Sequence, residues 1–376
     1  MPLVSHNQLP SFKRLEEEGI KVLDRGFAQH QDIRELHIGL LNIMPDSALA
    51  ATERQFFRLI GESNPIAQFY IHPFTLDELP RGSKAKQHID KYYESFEQIK
   101  QQGLDGLIVT GANVSGNELS QQPFWQPLIE VFEWAHENVV STLCSCLATH
   151  AVLEFRYKQK RQLQTEKVWG VYPHQLLDKS HPLIRNINTR FDVPHSRWNA
   201  VNEQQFIQSG LRILAKSNTN NQNHIHLATS KDGIRTVFFQ GHPEYDAISL
   251  LKEYKREVLH YLKTNSLVTD RRKIDTAKKK VLKNNYPPFP DNYFNSFQKS
   301  ILNEYQFRSI NALAERQDIP EFPEQLLISS LDNTWHDTAD EVISNWMGII
   351  YQLTHKDRDK LFMDGIDPED PLDLNK

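Results

Sequence analysis

The stretch Ser-Thr-Leu-Cys-Ser-Cys-Leu-Ala at residues 141–148 contains one of the two most informative patterns in the chain. Apolar Val139 and Val140 lead into it, and apolar residues at helical spacing follow it. The pattern predicts a buried strand that turns directly into a helix, with Cys146 at the turn. A thiol at such a turn stands above the edge of a sheet with helix N–H groups behind it, and this geometry suits attack on a carbonyl.

Strand-like and helix-like stretches alternate around this turn. The strand-like apolar runs lie at 36–43, 67–72, 106–110 and 139–145, and the stretches with helical spacing lie at 48–60, 88–101 and 124–136. The alternation predicts the α/β class, with a parallel sheet sandwiched between helices on both faces and chemistry at the carboxyl ends of the strands. Further strands are predicted at 169–172, 211–216, 224–228 and 236–240, before a helix at about 246–262.

Changes in composition divide the chain into four segments. We expect an N-terminal segment at 1–34, a main α/β domain at 35–263, a polar and basic insertion at 264–330, and a C-terminal extension at 331–376. Helical spacing at 340–353 predicts a last helix that packs on the main domain.

Composition and charge exclude several classes of partner. The 376 residues are 39% hydrophobic, and the formal net charge is -5 with acids and bases intermixed, which favours neither nucleic acid nor an anionic membrane as partner. No apolar run approaches the roughly 18 residues of a membrane span, and the first residues lack the apolar segment of an export signal. We expect a cytoplasmic protein that acts on small molecules.

The two cysteines of the chain, Cys144 and Cys146, have different predicted roles. They lie two residues apart on one strand end, so a disulfide between them is not expected. Two thiols alone make a poor zinc site, because structural zinc sites use four cysteine or histidine ligands, and no metal site is predicted. Cys144 lies within the strand and is assigned to packing, whereas Cys146 at the turn is the candidate nucleophile.

The stretch Gly-His-Pro-Glu-Tyr-Asp at 241–246 supplies the groups that a nucleophilic thiol needs. It follows the predicted strand at 236–240. The imidazole of His242 can take up the thiol proton, and the carboxylate of Glu244 can hold the second ring nitrogen. Together with Cys146, these residues predict a Cys-His-Glu triad.

Seven motifs, in order along the chain, resemble the homoserine O-succinyltransferase family. They are Asn-Ile-Met-Pro at 42–45, Asp-Gly-Leu-Ile-Val-Thr-Gly-Ala at 105–112, Ser-Thr-Leu at 141–143, Thr-Glu-Lys at 165–167, Gly-Val-Tyr at 170–172, Pro-His-Ser-Arg at 194–197 and Gly-His-Pro-Glu-Tyr-Asp-Ala at 241–247. The similarity covers about residues 1–262 and resumes at 335–353. It implies a fold similar to class I glutamine amidotransferases and the acylation of homoserine by an acyl-CoA at the start of methionine biosynthesis.

The resemblance also implies a role for each matched residue. It makes Cys146 the residue that accepts the acyl group in a ping-pong reaction, His242 the general base and Glu244 the acid that orients it. An arginine suits an amino-acid substrate, because its guanidinium can bind an α-carboxylate at two points. The substrate-binding roles fall on Lys167, Ser196 and Arg256.

The chain departs from the family pattern near the donor pocket. Leu147 and His150 stand where the family usually has tryptophan and glutamine, but the backbone N–H of Leu147 can still serve an oxyanion hole. The resemblance places the positions that determine donor and acceptor specificity at Ser115 and Arg197. The small, uncharged Ser115 favours a succinyl donor over an acetyl donor. Acetyl-CoA as donor and L-serine as acceptor stay open.

Two other functions would use the same scaffold. A glutamine amidotransferase-like hydrolase shares the triad, but such enzymes usually carry glycines two residues on either side of the cysteine, where this chain has Cys144 and Ala148. A non-catalytic sensor would lack a triad member, and all three are present. We therefore predict an acyltransferase that needs no cofactor, since acyl-CoA is a substrate; a homodimer stays open.

Overall fold

The computed structural model describes residues 3–31, 33–64, 66–112, 114, 118–219, 222–269, 286–358 and 360–374. Contacts divide these residues into two compact units. The first unit takes its residues from Met1–Val168, Pro173–Glu244 and Trp335–Lys376, and the second takes them from Trp169–Tyr172 and Tyr245–Thr334. The boundaries predicted from the sequence, 1–34, 35–263, 264–330 and 331–376, stay a prediction.

The described strands form one sheet of eleven strands. They are β1 (Leu3–Ser5), β2 (Val22–Asp24), β3 (Glu35–Leu41), β4 (Gln68–Phe74), β5 (Gly106–Val109), β6 (Ser141–Ser145), β7 (Gln162–Leu176), β8 (Arg190–Ala200), β9 (Arg212–Thr219), β10 (Gln222–Thr229) and β11 (Thr236–Phe239). Their order in the sheet is β2-β1-β4-β3-β5-β6-β11-β10-β9-β7-β8. The pairs from β2 to β11 in this order are parallel, and the pairs that link β11, β10, β9 and β7 are antiparallel.

Helices connect most of the parallel strands. The described α-helices are α1 (Pro10–Glu17), α2 (Arg25–Gln29), α3 (Leu49–Ser63), α4 (Ser83–Tyr92), α5 (Phe96–Gln102), α6 (Trp125–Asn138), α7 (Leu147–Tyr157), α8 (Glu203–Gln208), α9 (Ser249–Thr269), α10 (Ser296–Glu315), α11 (Glu324–Ile328) and α12 (His336–Leu353). Short 3-10 helices lie at Leu119–Gln121 and Pro182–Ile184. Among the described residues, no helix has the length and apolarity needed to cross a membrane.

Successive side chains of the central strands point into two different hydrophobic cores. In β5, Ile108 belongs to one core, and Leu107 and Val109 belong to the other. This follows from the two-residue repeat of an extended strand. The first core includes residues of α1, α3 and α12, and the second includes residues of α5, α6 and α7. Helices therefore cover both faces of the sheet, and the predicted α/β class is confirmed.

The helix predicted at 340–353 is present as α12, which begins four residues earlier, at His336, and packs against the central strand β6. Trp346 is fully buried, and its indole Nε1 donates a hydrogen bond of 2.8 Å to Ser141 Oγ. Replacing a buried tryptophan by alanine typically lowers the free energy of unfolding by about 3–5 kcal/mol. The C-terminal helix is thus part of the core that supports the strand leading to Cys146.

The second unit has a core of aromatic side chains around Tyr254 of α9. The rings of Phe289, Phe294 and Phe322 lie 5.4, 5.5 and 6.4 Å from the Tyr254 ring. Residues 286–330 of the predicted polar insertion therefore contribute buried apolar side chains in this unit. The basic stretches at 271–273 and 278–280 lie outside the described residues.

Candidate active site

Cys146 lies between β6 and α7, at the strand-to-helix turn that the sequence predicts. Its backbone has φ 50° and ψ -105°, in the region where an L-residue is strained and glycine is favoured. The cost of such a conformation is on the order of 1–3 kcal/mol. Hydrogen bonds hold it in place, because the N–H of Cys146 donates to the Phe239 carbonyl over 2.7 Å. The fold therefore constrains the thiol at the carboxyl end of a central strand.

Thr149 strengthens this turn from within α7. Its hydroxyl lies 2.7 Å from the carbonyl oxygen of Cys144 and 2.9 Å from that of Phe239, so it ties the helix to the ends of two neighbouring strands. Cys144 is fully buried, and burial raises the pKa of its thiol. It has the packing environment that the sequence indicates, whereas Cys146 is partly accessible.

His242 and Glu244 follow β11, the strand that pairs in parallel with β6. The Nδ1 of His242 lies 2.8 Å from Glu244 Oε1, and the exposed fractions of the two side chains are 7% and 4%. The His242 backbone N–H also donates to the Pro194 carbonyl over 2.8 Å. When Nδ1–H donates to Glu244, Nε2 is the ring nitrogen that can exchange a proton with a thiol.

Electrostatics favours the charged form of His242. Burial alone would lower the pKa of this imidazole, but the Glu244 carboxylate and the Cys146 side chain, both also hydrogen-bonded to it, raise its pKa well above the usual value. The structure thus brings Cys146, His242 and Glu244 together in one hydrogen-bonded chain. An imidazolium beside a thiol favours the thiolate, which is the nucleophilic form.

Gly111, which follows β5, lies beside Cys146. A Cβ atom at this position would lie 3.5 Å from the Cβ of Cys146 and 4.0 Å from its Sγ. Leu147 is the first residue of α7, and its backbone N–H is one of those at a helix N-terminus that lack an intrahelical acceptor. The oxyanion role of the Leu147 N–H stays a prediction.

His150, one of the departures from the family pattern, joins a buried network below the turn. The distance from His150 Nε2 to Gln240 Oε1 is 3.1 Å. Gln240 Nε2 in turn donates hydrogen bonds of 3.1 Å to the carbonyls of Val201 and Ile225. Burial lowers the pKa of His150 to about 3, so its ring is neutral at neutral pH. His150 therefore has a structural environment that links α7 to the end of β11.

Arg161 is a residue near the thiol that the sequence analysis missed. Burial lowers the pKa of this half-buried guanidinium, and attraction to Glu154 and to Cys146 opposes the effect. Cys146 is thus one of the groups whose charge acts on the pKa of Arg161. A lone arginine in the polar stretch between α7 and β7 carries no sequence signal that would distinguish it from a surface residue.

The predicted substrate residues of the first unit lie on two long strands. Lys167 is half-buried on β7, and Ser196 is half-buried on β8. Arg197 is buried on β8, where it hydrogen-bonds to His195 and lies 3.3 Å through Nη2 from His224 Nδ1. The specificity role of Arg197 stays a prediction, as do the binding roles of Lys167 and Ser196.

The other two predicted positions lie elsewhere. Arg256 is on α9 in the second unit, where its side chain is 55% exposed and forms a 3.4 Å ion pair with Glu257. Its predicted grip on a substrate carboxylate stays a prediction. Ser115, the predicted donor-specificity position, lies outside the described residues.

Known proteins of one family match this chain over nearly its whole length. The family model described as "Homoserine O-succinyltransferase" matches residues 2–356. The homoserine O-succinyltransferase of Allochromatium vinosum is 58% identical over 374 residues, which cover 100% of this chain and 99% of that protein. The protein of the same name from Nitrosococcus oceani is 57% identical over 376 residues, again 100% of this chain and 99% of that protein.

Solved structures show a more distant likeness. A glutamine amidotransferase from Methylobacillus flagellatus is 10% identical with a TM-score of 0.42, and the match covers 84% of this chain and 95% of that one. A glutamine amidotransferase from Thermotoga maritima is 13% identical with a TM-score of 0.39, over 66% of this chain and 94% of that one. The sequence relatives agree with the motifs, and the chain belongs to the homoserine O-succinyltransferase family.

Proposed function

We propose that this protein transfers a succinyl group from succinyl-CoA to the hydroxyl of L-homoserine, through a thioester on Cys146, in the first step of methionine biosynthesis. The observation that supports the chemistry is the hydrogen-bonded arrangement of Cys146, His242 and Glu244 at the carboxyl ends of two adjacent parallel strands. Family membership supports the choice of substrates.

The first half-reaction forms the acyl-enzyme. The Cys146 thiolate attacks the carbonyl carbon of succinyl-CoA, and the bond from that carbon to the coenzyme A sulfur breaks. Coenzyme A leaves with the proton that His242 had taken from the thiol. We place the negative oxygen of the tetrahedral intermediate at the N-terminus of α7, near the backbone N–H of Leu147. One thioester replaces another, so the step is close to balanced in energy.

The second half-reaction transfers the acyl group to the acceptor. The γ-hydroxyl oxygen of homoserine attacks the thioester carbon while His242, held by Glu244, accepts the hydroxyl proton. The carbon–sulfur bond to Cys146 then breaks, and His242 gives the proton to the Cys146 thiolate that leaves. In this proposal Lys167, Ser196 and Arg256 bind the substrates. The reaction uses no cofactor, since acyl-CoA is a substrate; a cytoplasmic location and a homodimer stay predictions.

Parallel rate measurements with two donors and two acceptors test this proposal. The purified protein is assayed with succinyl-CoA or acetyl-CoA, each with L-homoserine or L-serine, and with Cys146→Ala and Cys144→Ala as matched variants. We expect the highest kcat/KM for succinyl-CoA with homoserine. Cys146→Ala should lose this activity, and Cys144→Ala should retain most of it. A preference for acetyl-CoA or serine would overturn the substrate assignment, and full activity in Cys146→Ala would overturn the mechanism.

A further inference from the structure

A second group of reactive side chains lies in the first unit, among strands that are separated from β6 by β5. His6 follows β1, His37 lies in β3, His72 lies in β4, and Glu94 precedes α5. These side chains line a cavity of about 440 Å³. The proposed acyl transfer uses none of them.

The register of the sheet explains why residues so far apart in sequence meet here. Strands β1 and β4 pair in parallel with Leu3 opposite Phe69, so His6, three residues after Leu3, falls beside His72, three residues after Phe69. The two imidazole rings lie 5.0 Å apart between centroids. Parallel pairing therefore places two imidazoles side by side near the carboxyl ends of two adjacent strands.

The ligand atoms of His6, His72 and Glu94 are close enough to share one metal ion. One such atom from each residue lies within 4.8 Å of the other two, and His72 Nδ1 is 2.7 Å from Glu94 Oε1. In a tetrahedral zinc site with bonds of about 2.0–2.1 Å, the ligand atoms stand roughly 3.3 Å apart. A small movement of these side chains would therefore complete the geometry.

His6 and Glu94 each have an outer partner of the kind that orients a metal ligand. The Nδ1 of His6 lies 3.2 Å from the Val4 carbonyl, to which its N–H can donate. The lone pair is then on Nε2, whose contact with Asn7 Nδ2 is long, at 3.5 Å, and a metal ion would replace it. The second carboxylate oxygen of Glu94 accepts a 2.9 Å hydrogen bond from Gln102 Nε2. Such outer contacts set the ring tautomer and the direction of the ligand.

His72 has an outer partner on the ring nitrogen opposite Glu94. Its Nε2 lies 2.9 Å from His37 Nδ1, and His37 Nε2 lies 3.4 Å from Glu35 Oε2. These two contacts fit a chain of hydrogen bonds in which His72 Nε2–H donates to His37 Nδ1, and His37 Nε2–H donates to the Glu35 carboxylate. A histidine that donates its distal N–H towards a carboxylate is a stronger ligand for a cation on its other nitrogen.

We propose that His6, His72 and Glu94 bind one Zn²⁺ ion whose fourth position opens into this cavity. Two imidazoles and a carboxylate suit zinc better than magnesium or calcium, which prefer oxygen ligands, and three protein ligands are typical of zinc sites with an open position. Arg25 and Arg358 line the same cavity and favour an anionic fourth ligand such as hydroxide. A bound ion would tie the N-terminal strand to β4.

No short sequence motif indicates this site. His6, His72 and Glu94 are separated by tens of residues, so they form no short ligand motif along the chain. A second group, Glu62, His336 and Asp340, also brings three ligand atoms within 4.8 Å, but Glu62 is exposed and none of the three is buried, whereas His72 is buried. That group provides the matched control for weak surface binding.

The test is zinc binding by the full-length protein after removal of metal with a chelator. Isothermal titration with ZnCl₂ measures stoichiometry and affinity, and the visible absorption of Co²⁺ added instead reports tetrahedral coordination. We expect one tight site per chain in the wild type, in His336→Gln and in Cys146→Ser. Affinity should fall at least ~100-fold in Glu94→Gln and His72→Gln, and ~10- to 100-fold in His37→Gln, which alters only an outer contact.

Circular dichroism checks that each variant is folded. His6→Gln, which lies just after the three-residue strand β1, replaces any ligand variant that is not folded. The proposal is overturned if the wild type binds no stoichiometric zinc or if folded Glu94→Gln and His6→Gln bind it as tightly as the wild type. Loss of the site in Cys146→Ser would also overturn it, because the zinc would then be bound by the candidate active site.

Discussion

Replacing Glu244 by glutamine should slow acyl transfer by about 10- to 150-fold without unfolding the protein. His242 Nδ1 and Glu244 Oε1 are 2.8 Å apart with both side chains almost fully buried, and glutamine keeps the size and one acceptor oxygen but loses the charge. A hydrogen bond to a charged group contributes about 1.5–3 kcal/mol. Each 1.36 kcal/mol of lost transition-state stabilisation is a factor of ten in rate, which gives the stated range.

The same substitution should change how stability depends on pH. Glu244 and Cys146 raise the pKa of His242 in the folded protein, against the effect of burial. A raised folded pKa stabilises the fold fully below the unfolded value of about 6.5, and the contribution is lost as pH rises through the folded pKa. The difference in free energy of unfolding between wild type and Glu244→Gln should thus be largest near pH 6 and shrink at alkaline pH.

The assays are kcat for O-succinylhomoserine formation and urea denaturation at several pH values. Glu53→Gln is the matched control, since Glu53 is a fully buried carboxylate 3.1 Å from a histidine nitrogen, that of His88. It should lower stability but leave kcat close to that of the wild type. The reasoning is refuted if Glu244→Gln turns over as fast as the wild type, or if Glu53→Gln slows turnover equally.

Three further substitutions test other parts of the account. Gly241→Ala should destabilise the protein by about 1–3 kcal/mol in urea denaturation, because its Cβ would lie 2.9 Å from His195 Cε1 and also clash with Val193; wild-type stability would contradict this. Trp346→Ala should cost about 3–5 kcal/mol in the same assay, and a loss below 1 kcal/mol would show that α12 does not support the core. Arg256→Lys should weaken homoserine binding by about 1.5–3 kcal/mol, seen as a raised KM with acyl-enzyme formation retained; an unchanged KM would remove Arg256 from the acceptor site.

The turn around Cys146 could be predicted because its signals are local. A buried strand reads as a short apolar run, and a helix reads as apolar residues three and four apart, so the change of period marks the turn. The structure has β6 at Ser141–Ser145 and α7 at Leu147–Tyr157. The contact between His242 and Glu244 could also be predicted, since the two residues are two positions apart after a predicted strand.

Other elements could not be predicted because their signals are weak or lie in distant segments. Strand β8, Arg190–Ala200, mixes charged residues with a proline, and β1 and β2 have three residues each, too few for a period to show. The helix α10 lies in a stretch read as a polar insertion. The position of Arg161 near Cys146, and the pairing of His6 with His72, depend on tertiary contacts that no local pattern encodes.

The most direct test of the central claim is mass spectrometry of the protein after incubation with succinyl-CoA and no acceptor. We predict one succinyl group per chain, assigned by fragmentation to Cys146 rather than Cys144, since both cysteines share a peptide. Addition of homoserine should remove the group and release O-succinylhomoserine. An unmodified protein, or a succinyl group on Cys144 alone, would contradict the proposed mechanism.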